Sequence, residues 1–168
     1  MSDRVLIVED EDVLARSIAK FLSAKGFEVE TAPDGIVAMQ VLREQSFDAV
    51  ATDIKMPRCD GIELLRRMRD AGCTEPTIVL SAHGTLERAV AAMKLGAQDF
   101  LRKPIDLDDL ESVLRRSIAT TRMRQELDYL RKRQVGPDEF PEPLGDSRAM
   151  RDIRRHLQQL ASAQEAVA

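Results

Sequence analysis

The chain has 168 residues, 43% of them hydrophobic and 32% charged, a balance expected of a folded globular protein with a helical bias and not of a disordered or fibrous one. A formal net charge of -4 and only 4% aromatic residues argue against a nucleic-acid-binding body or a stacking platform for single strands. No apolar run approaches the roughly 18 to 20 residues of a membrane span. Met1-Ser2-Asp3-Arg4 leads directly into a short apolar run without the long h-region of a signal peptide, so a cytoplasmic location with no membrane partner is expected. Cys59 and Cys73 lie too far apart for a CxxC pair and read as reduced thiols.

In chain order, Val5-Leu6-Ile7-Val8 predicts the first strand and the periodicity over about 11–25 the first helix. A weaker strand at Glu28-Val29-Glu30-Thr31 precedes a helix over 34–45, and Ala49-Val50-Ala51 precedes one over 60–71. Thr77-Ile78-Val79-Leu80 is followed by a helix over 85–95, and the weak strand Asp99-Phe100-Leu101 by a helix beginning near Asp106. The short apolar runs do not alternate, as expected of strands buried on both faces. Gly26, Gly72 and Gly96 stand just past helical segments, and Asp34, Thr85 and Asp106 stand where N-caps are needed. Strict βα alternation requires parallel strands with right-handed crossovers, hence an α/β fold with a five-stranded doubly wound parallel sheet.

From Asp106 to Arg133 there is no Gly or Pro, which predicts a helical extension too long merely to cap the sheet. A partial heptad seam runs through Leu110, Val113, Thr120, Met123, Leu127 and Leu130, interrupted by Arg116, and suggests a homodimeric coiled coil. The expected divisions are 1–118 for the sheet domain, 119–135 for a helical linker, 136–143 for a proline-rich linker, and 144–168 for a further helix. That last helix is capped by Ser147 and carries Met150, Ile153, Leu157 and Leu160 on one face, as if opening another domain.

Doubly wound sheets place their sites at the carboxyl ends of the strands. There the sequence sets Glu9 and Asp10 after the first strand, Asp53 after the third, Ser81 after the fourth and Lys103 past the fifth. Crowded carboxylates repel unless a cation joins them, and an oxygen-only set without Cys or His fits Mg²⁺ better than zinc. One such Asp alone would be an ordinary helix cap, but the coincidence of five at one edge points to a site. Phe100 by itself reads as a half-buried aromatic, Met56 and Pro57 as loop residues, and His83 and His156 as single histidines without a second metal ligand.

The stretches Val5-Leu6-Ile7-Val8-Glu9-Asp10, Thr52-Asp53-Ile54-Lys55-Met56-Pro57 with Asp60-Gly61, Leu80-Ser81-Ala82, and Phe100-Leu101-Arg102-Lys103-Pro104 resemble the receiver domains of two-component response regulators, over about residues 4–118. The resemblance implies a flavodoxin-like receiver fold and a phosphorylation switch, not an enzyme. Asp53 would then take a phosphoryl group from a sensor histidine kinase. Asp10, the Asp53 carboxylate and the backbone carbonyl of Lys55 would hold Mg²⁺. Glu9, where many relatives have Asp, would reach the metal through water or directly. Lys103 would pair with the phosphoryl oxygens, Ser81 would close onto another, and Phe100 would be the switch aromatic. The resemblance also implies a cis Lys103-Pro104 bond, and it places Lys55 and His83 beside the path of an attacking water.

The segment Pro143-Leu144-Gly145-Asp146-Ser147-Arg148-Ala149-Met150-Arg151-Asp152-Ile153 is similar to the start of the AAA+ ATPase domain in sigma-54-dependent activators of the nitrogen-regulation type. It implies an output through sigma-54 RNA polymerase and DNA, made by domains outside these 168 residues, since no G-x-x-x-x-G-K-[ST] loop occurs here. A stand-alone phosphorylation-dependent dimerisation module is the alternative. An aspartyl-phosphate phosphohydrolase fits less well, because Lys55 occupies the position where a D-x-D motif needs its general acid. The Arg-rich stretch Arg115, Arg116, Arg122, Arg124, Arg131, Lys132 and Arg133 has Glu111, Glu126 and Asp128 interleaved, the pattern of a solvated helix face and not of a nucleic-acid site.

Overall fold

The computed structural model describes residues 2–82 and 86–134. His83, Thr85, His156, the proline-rich stretch 136–143 and the expected helix with Ser147, Met150, Ile153, Leu157 and Leu160 lie outside the described residues. Five strands, β1 (Arg4–Val8), β2 (Glu28–Ala32), β3 (Ala49–Asp53), β4 (Thr77–Ser81) and β5 (Asp99–Arg102), alternate with α1 (Asp12–Ala24), α2 (Gly35–Glu44), α3 (Gly61–Asp70), α4 (Leu86–Lys94) and α5 (Leu107–Gln134). All pairings are parallel and the strand order is β2-β1-β3-β4-β5, the flavodoxin-like arrangement. Packing divides the chain into two units, Met1–Asp128 and Tyr129–Ala168.

The period of two along each strand divides the core between the two sheet faces. Val5, Ile7, Ala49, Ala51, Ile78 and Leu80 pack with Ile18 and Leu22 of α1 and with Leu110, Leu114 and Ile118 of α5. Their alternates Leu6, Val8 and Val50 meet Ala38 and Met39 of α2 and Leu64 and Met68 of α3. Val79 joins Ile54, Leu65, Ala92 and Ala97. The helix ends follow the sequence expectation: Asp34 Oδ1 accepts from the backbone N–H of Ile36 and Val37 at 2.8 and 3.0 Å, and Asp106 Oδ1 from those of Asp108 and Asp109 at 2.9 and 3.3 Å. Gly26, Gly72 and Gly96 have φ of 93°, 76° and 92°, where a Cβ is disfavoured.

The heptad seam expected on the long helix needs correction. Leu110 and Val113 are 0% and 9% exposed and belong to the core, because the opening turns of α5 pack beside α1 against one face of the sheet. Neither can also face a second helix. Met123, Leu127 and Leu130 are exposed, spaced four and three residues apart as one helical stripe requires. Three of the arginines offered as a basic patch are engaged by acids of the same chain: Arg115 with Glu111 at 2.9 Å, Arg116 with Asp99 at 2.8 Å, and Arg122 with Asp3 and Asp48 at 2.7 and 2.8 Å.

This division of α5 predicts unequal costs for truncating its apolar side chains. Leu110→Ala should destabilise the chain by about 2–5 kcal/mol in urea unfolding, through the lost burial and the cavity left behind. Met123→Ala, measured in dilute solution, should stay within about 0.5 kcal/mol of the parent. Equal losses at the two positions would contradict the assignment.

Candidate functional site

Strand order reverses between β1 and β3, so the chain leaves these neighbouring strands in opposite directions and opens a crevice at their carboxyl ends. Glu9 follows β1, and its N–H donates to the Ala32 carbonyl at 3.0 Å, so its backbone is held by the end of β2. Its side chain is buried; Oε1 accepts from the Glu11 N–H at 3.2 Å and Oε2 from Lys103 Nζ at 2.7 Å. Asp53 closes β3 and is also buried. Its Oδ2 accepts from Lys103 Nζ at 3.0 Å, and its Oδ1 lies 3.4 Å from the Lys55 N–H, a long contact. Asp10 is exposed beside them, and Glu9, Asp10 and Asp53 each bring a carboxylate oxygen within 4.8 Å of the others.

Lys103 reaches this cluster from the far side of the sheet. Its backbone N–H donates to the Ser81 carbonyl at 2.8 Å, carrying the β4–β5 pairing one residue further and bringing Lys103 alongside the buried Ser81. The Lys103-Pro104 bond is cis. Below Asp53, a Cβ on Gly61 would collide with the Asp53 carbonyl oxygen, so only glycine lets α3 begin this close to the strand end. Asp60 caps that helix, accepting from the Glu63 N–H at 2.8 Å.

The charge at the rim is unbalanced. Burial pushes the Glu9 carboxyl above the usual carboxylate range, even though Lys103 and the Glu11 N–H pull it down. Burial also disfavours the Lys103 ammonium, but hydrogen bonds from it to Glu9 and Asp53 outweigh that and hold it above its ordinary value. Three carboxylates share one ammonium, leaving an excess of negative charge in a donor set made only of oxygen. A hard divalent cation fits such a set, and a thiophilic one does not.

The expected residues therefore converge only in part. Glu9, Asp10, Asp53 and Lys103 form one cluster, and Ser81 joins it through the backbone of Lys103. The Lys55 side chain is exposed. Phe100 is partly buried against Ile54, Leu65, Val79, Ala92 and Ala97, in the packing its ordinary reading anticipated. Met56, taken as a loop residue, is partly buried against the cluster that holds Leu6 and Val8. His83 lies outside the described residues. Arg58 carries no local sequence signal of a role, yet its guanidinium is paired with the buried carboxylate of Asp34, whose position predicts only a helix cap. No local pattern signals a pairing across 24 residues.

This fold and rim are those of a phosphoryl-accepting signalling module. Residues 5–115 match the response regulator receiver domain, and the chain belongs to that family, one of signalling proteins and not of enzymes. It is 33% identical over 165 residues to the regulatory protein AtoC of Escherichia coli (strain K12), covering 98% of this chain and 36% of that protein. It is 35% identical over 126 residues to the response regulator MprA of Mycobacterium ulcerans (strain Agy99), covering 75% and 54%. Among solved structures, NtrX from Brucella abortus in complex with ADP superposes with a TM-score of 0.73 at 32% identity, covering 96% of this chain and 36% of that one. A response regulator receiver domain protein from Clostridium thermocellum superposes with a TM-score of 0.68 at 32% identity, covering 72% and 98%. The chain thus spans between about a third and just over half the length of the curated relatives it matches. No described helix is long and apolar enough to cross a membrane.

The strained charge of Glu9 predicts a pH signature. A carboxyl raised on folding stabilises the folded state at low pH and loses that contribution as pH rises through its folded value. In EDTA at pH 7, Glu9→Gln should therefore unfold at a higher temperature than the parent, with the gap closing as pH falls toward the ordinary carboxylate range. Calorimetry across that range checks this, and a gap independent of pH would mean that Glu9 bears no such cost.

Proposed function

We propose that this chain is the receiver portion of a cytoplasmic response regulator of the sigma-54-activator type, phosphorylated on Asp53 by a sensor histidine kinase. The observation that carries the reading is the placement of Asp53 at a strand end, with Lys103 Nζ 3.0 Å from its Oδ2 and the carboxylates of Glu9 and Asp10 beside it. An Asp53 carboxylate oxygen attacks the phosphorus in line; the new O–P bond forms as the P–N bond of the kinase phosphohistidine breaks, and the imidazole keeps the electron pair. Lys103 turns its N–H donors to a phosphoryl oxygen, and the Ser81 hydroxyl donates to another while Phe100 turns inward. Asp10, Asp53 and the Lys55 carbonyl, with Glu9 directly or through water, are the groups that would hold Mg²⁺, which supplies neutralisation of the phosphoryl charge. Positioning and charge neutralisation make up most of what phosphoryl transfer asks of a protein.

The type of output is supported by how far the similarities extend. The likeness to AtoC and to NtrX covers 98% and 96% of the chain, whereas that to MprA covers 75%. The NtrX structure contains ADP, consistent with a nucleotide-binding region in the part of such proteins that this chain does not span. On this reading residues 1–118 are the receiver, 119–135 a dimerising helical linker, 136–143 a proline-rich connection and 144–168 the start of an ATPase domain. Contacts with sigma-54 RNA polymerase and DNA belong to regions beyond it. With Leu110 and Val113 committed to the core, the dimer seam shortens to Met123, Leu127 and Leu130. A short seam pairs weakly, and phosphorylation can reset only an equilibrium whose two states it stabilises unequally.

Acetyl phosphate with Mg²⁺ should add one phosphoryl group by intact mass, the P–O bond breaking and acetate leaving, and Asp53→Asn or excess EDTA should abolish it. Equal labelling of Asp53→Asn would refute the acceptor assignment.

Sedimentation at tens of micromolar should show a dimer whose mass or shape responds to beryllofluoride, and Leu127→Lys with Leu130→Lys should leave a monomer. A parent chain that is monomeric with and without beryllofluoride would remove the linker as the transmission element.

A further inference from the structure

Arg58 stands out twice. Among the described residues it alone of the non-glycine residues has a positive φ, 65°, a region that Cβ sterics disfavour. Its guanidinium, on a side chain 60% exposed, is paired with a carboxylate that is fully buried. Asp34 Oδ1 is engaged by the N–H groups of Ile36 and Val37, so Oδ2 is left for Arg58. A buried carboxylate lacking that partner would be strongly disfavoured.

The segment that Arg58 anchors is the one between Asp53 and α3. At its base Ile54 N–H donates to the Leu80 carbonyl at 3.0 Å, and Gly61 N–H to the Ile54 carbonyl at 2.9 Å. At its tip Cys59 N–H donates to the Pro57 carbonyl at 2.7 Å, and Gly35 N–H to the Cys59 carbonyl at 3.2 Å. Between base and tip, the Lys55 N–H makes only the long 3.4 Å contact to Asp53. The stretch carrying the Lys55 carbonyl is therefore held from its two ends, and Arg58 is the ionic half of the outer anchor.

We propose that Arg58 is a positioning residue for the cation site: its pairing with Asp34 clamps the β3–α3 loop to the start of α2 and so keeps the Lys55 carbonyl at the acidic cluster. This rests on the assignment of Glu9, Asp10, Asp53 and the Lys55 carbonyl as the Mg²⁺ site. Arg58→Gly separates the ion pair from the backbone conformation, since glycine adopts the same φ more easily. Asp34→Asn keeps an oxygen to cap α2 while removing the charge.

Mg²⁺ titration of the full chain by calorimetry, without a phosphoryl donor, is the test, with thermal unfolding in EDTA confirming that each variant folds. Arg58→Gly and Asp34→Asn should each weaken Mg²⁺ binding about tenfold, the scale typical of groups that orient metal ligands. The double variant should be no weaker than either single one, because both remove the same interaction. Arg58→Lys should recover most of the affinity. Arg58→Gly that folds and binds Mg²⁺ like the parent would overturn the proposal, as would a parent chain that binds no Mg²⁺. A parent that binds Mg²⁺ with the expected dependence on Arg58 yet takes no phosphoryl group from acetyl phosphate would uphold the clamp while refuting Asp53 as acceptor.

Discussion

The Lys103 ammonium, 2.7 Å from Glu9 and 3.0 Å from Asp53, is the interaction on which the rim depends. It joins the residue after β1, the last residue of β3 and the residue after β5, strands that are not all neighbours in the sheet. A long apolar stem lets the charge reach across while its methylenes stay covered. Without that cation two buried carboxylates would face each other in a medium that screens their repulsion poorly. With it, Glu9 is still raised by its burial, and three carboxylates stand beside one ammonium. An excess of negative charge in an oxygen-only donor set is one that a hard divalent cation fits.

The connection from this rim toward the rest of the molecule is short. Only residues 104–106 separate Lys103 from the start of α5 at Leu107. The opening turns of that helix supply Leu110, Leu114 and Ile118 to the core, and Arg122 further along ties it to Asp3 and Asp48 at the other end of the sheet. The helix that covers the sheet through Leu110, Leu114 and Ile118 thus also carries the exposed Met123 and Leu127. Covering and continuing compete for the same apolar stripe, which is why a seam drawn through Leu110 and Val113 does not survive folding.

Much of the fold was legible because its signals are local. The apolar runs at Val5–Val8, Ala49–Ala51 and Thr77–Leu80, glycines past helix ends, and Asp34 and Asp106 as caps each act within a few residues, and each is found where the pattern put it. Topology followed from alternation, since parallel strands joined by right-handed crossovers leave few arrangements. The acidic edge was legible for the same reason: residues just past strands in such a sheet share one rim wherever the strands fall in sequence.

The sequence by itself determined the sheet, its helices and the set Glu9, Asp10, Asp53, Ser81 and Lys103, because periodicity and position relative to strand ends depend on neighbours along the chain. Tertiary structure alone decided which of those groups touch, that Glu9 takes the shorter contact to Lys103 while Asp53 takes the longer, and that Arg58 meets Asp34. It also decided that α5 turns Leu110 and Val113 inward and leaves Met123 outside. Long-range pairing and the assignment of a helix stripe to core or solvent depend on what lies opposite in space, and no pattern along the chain encodes that.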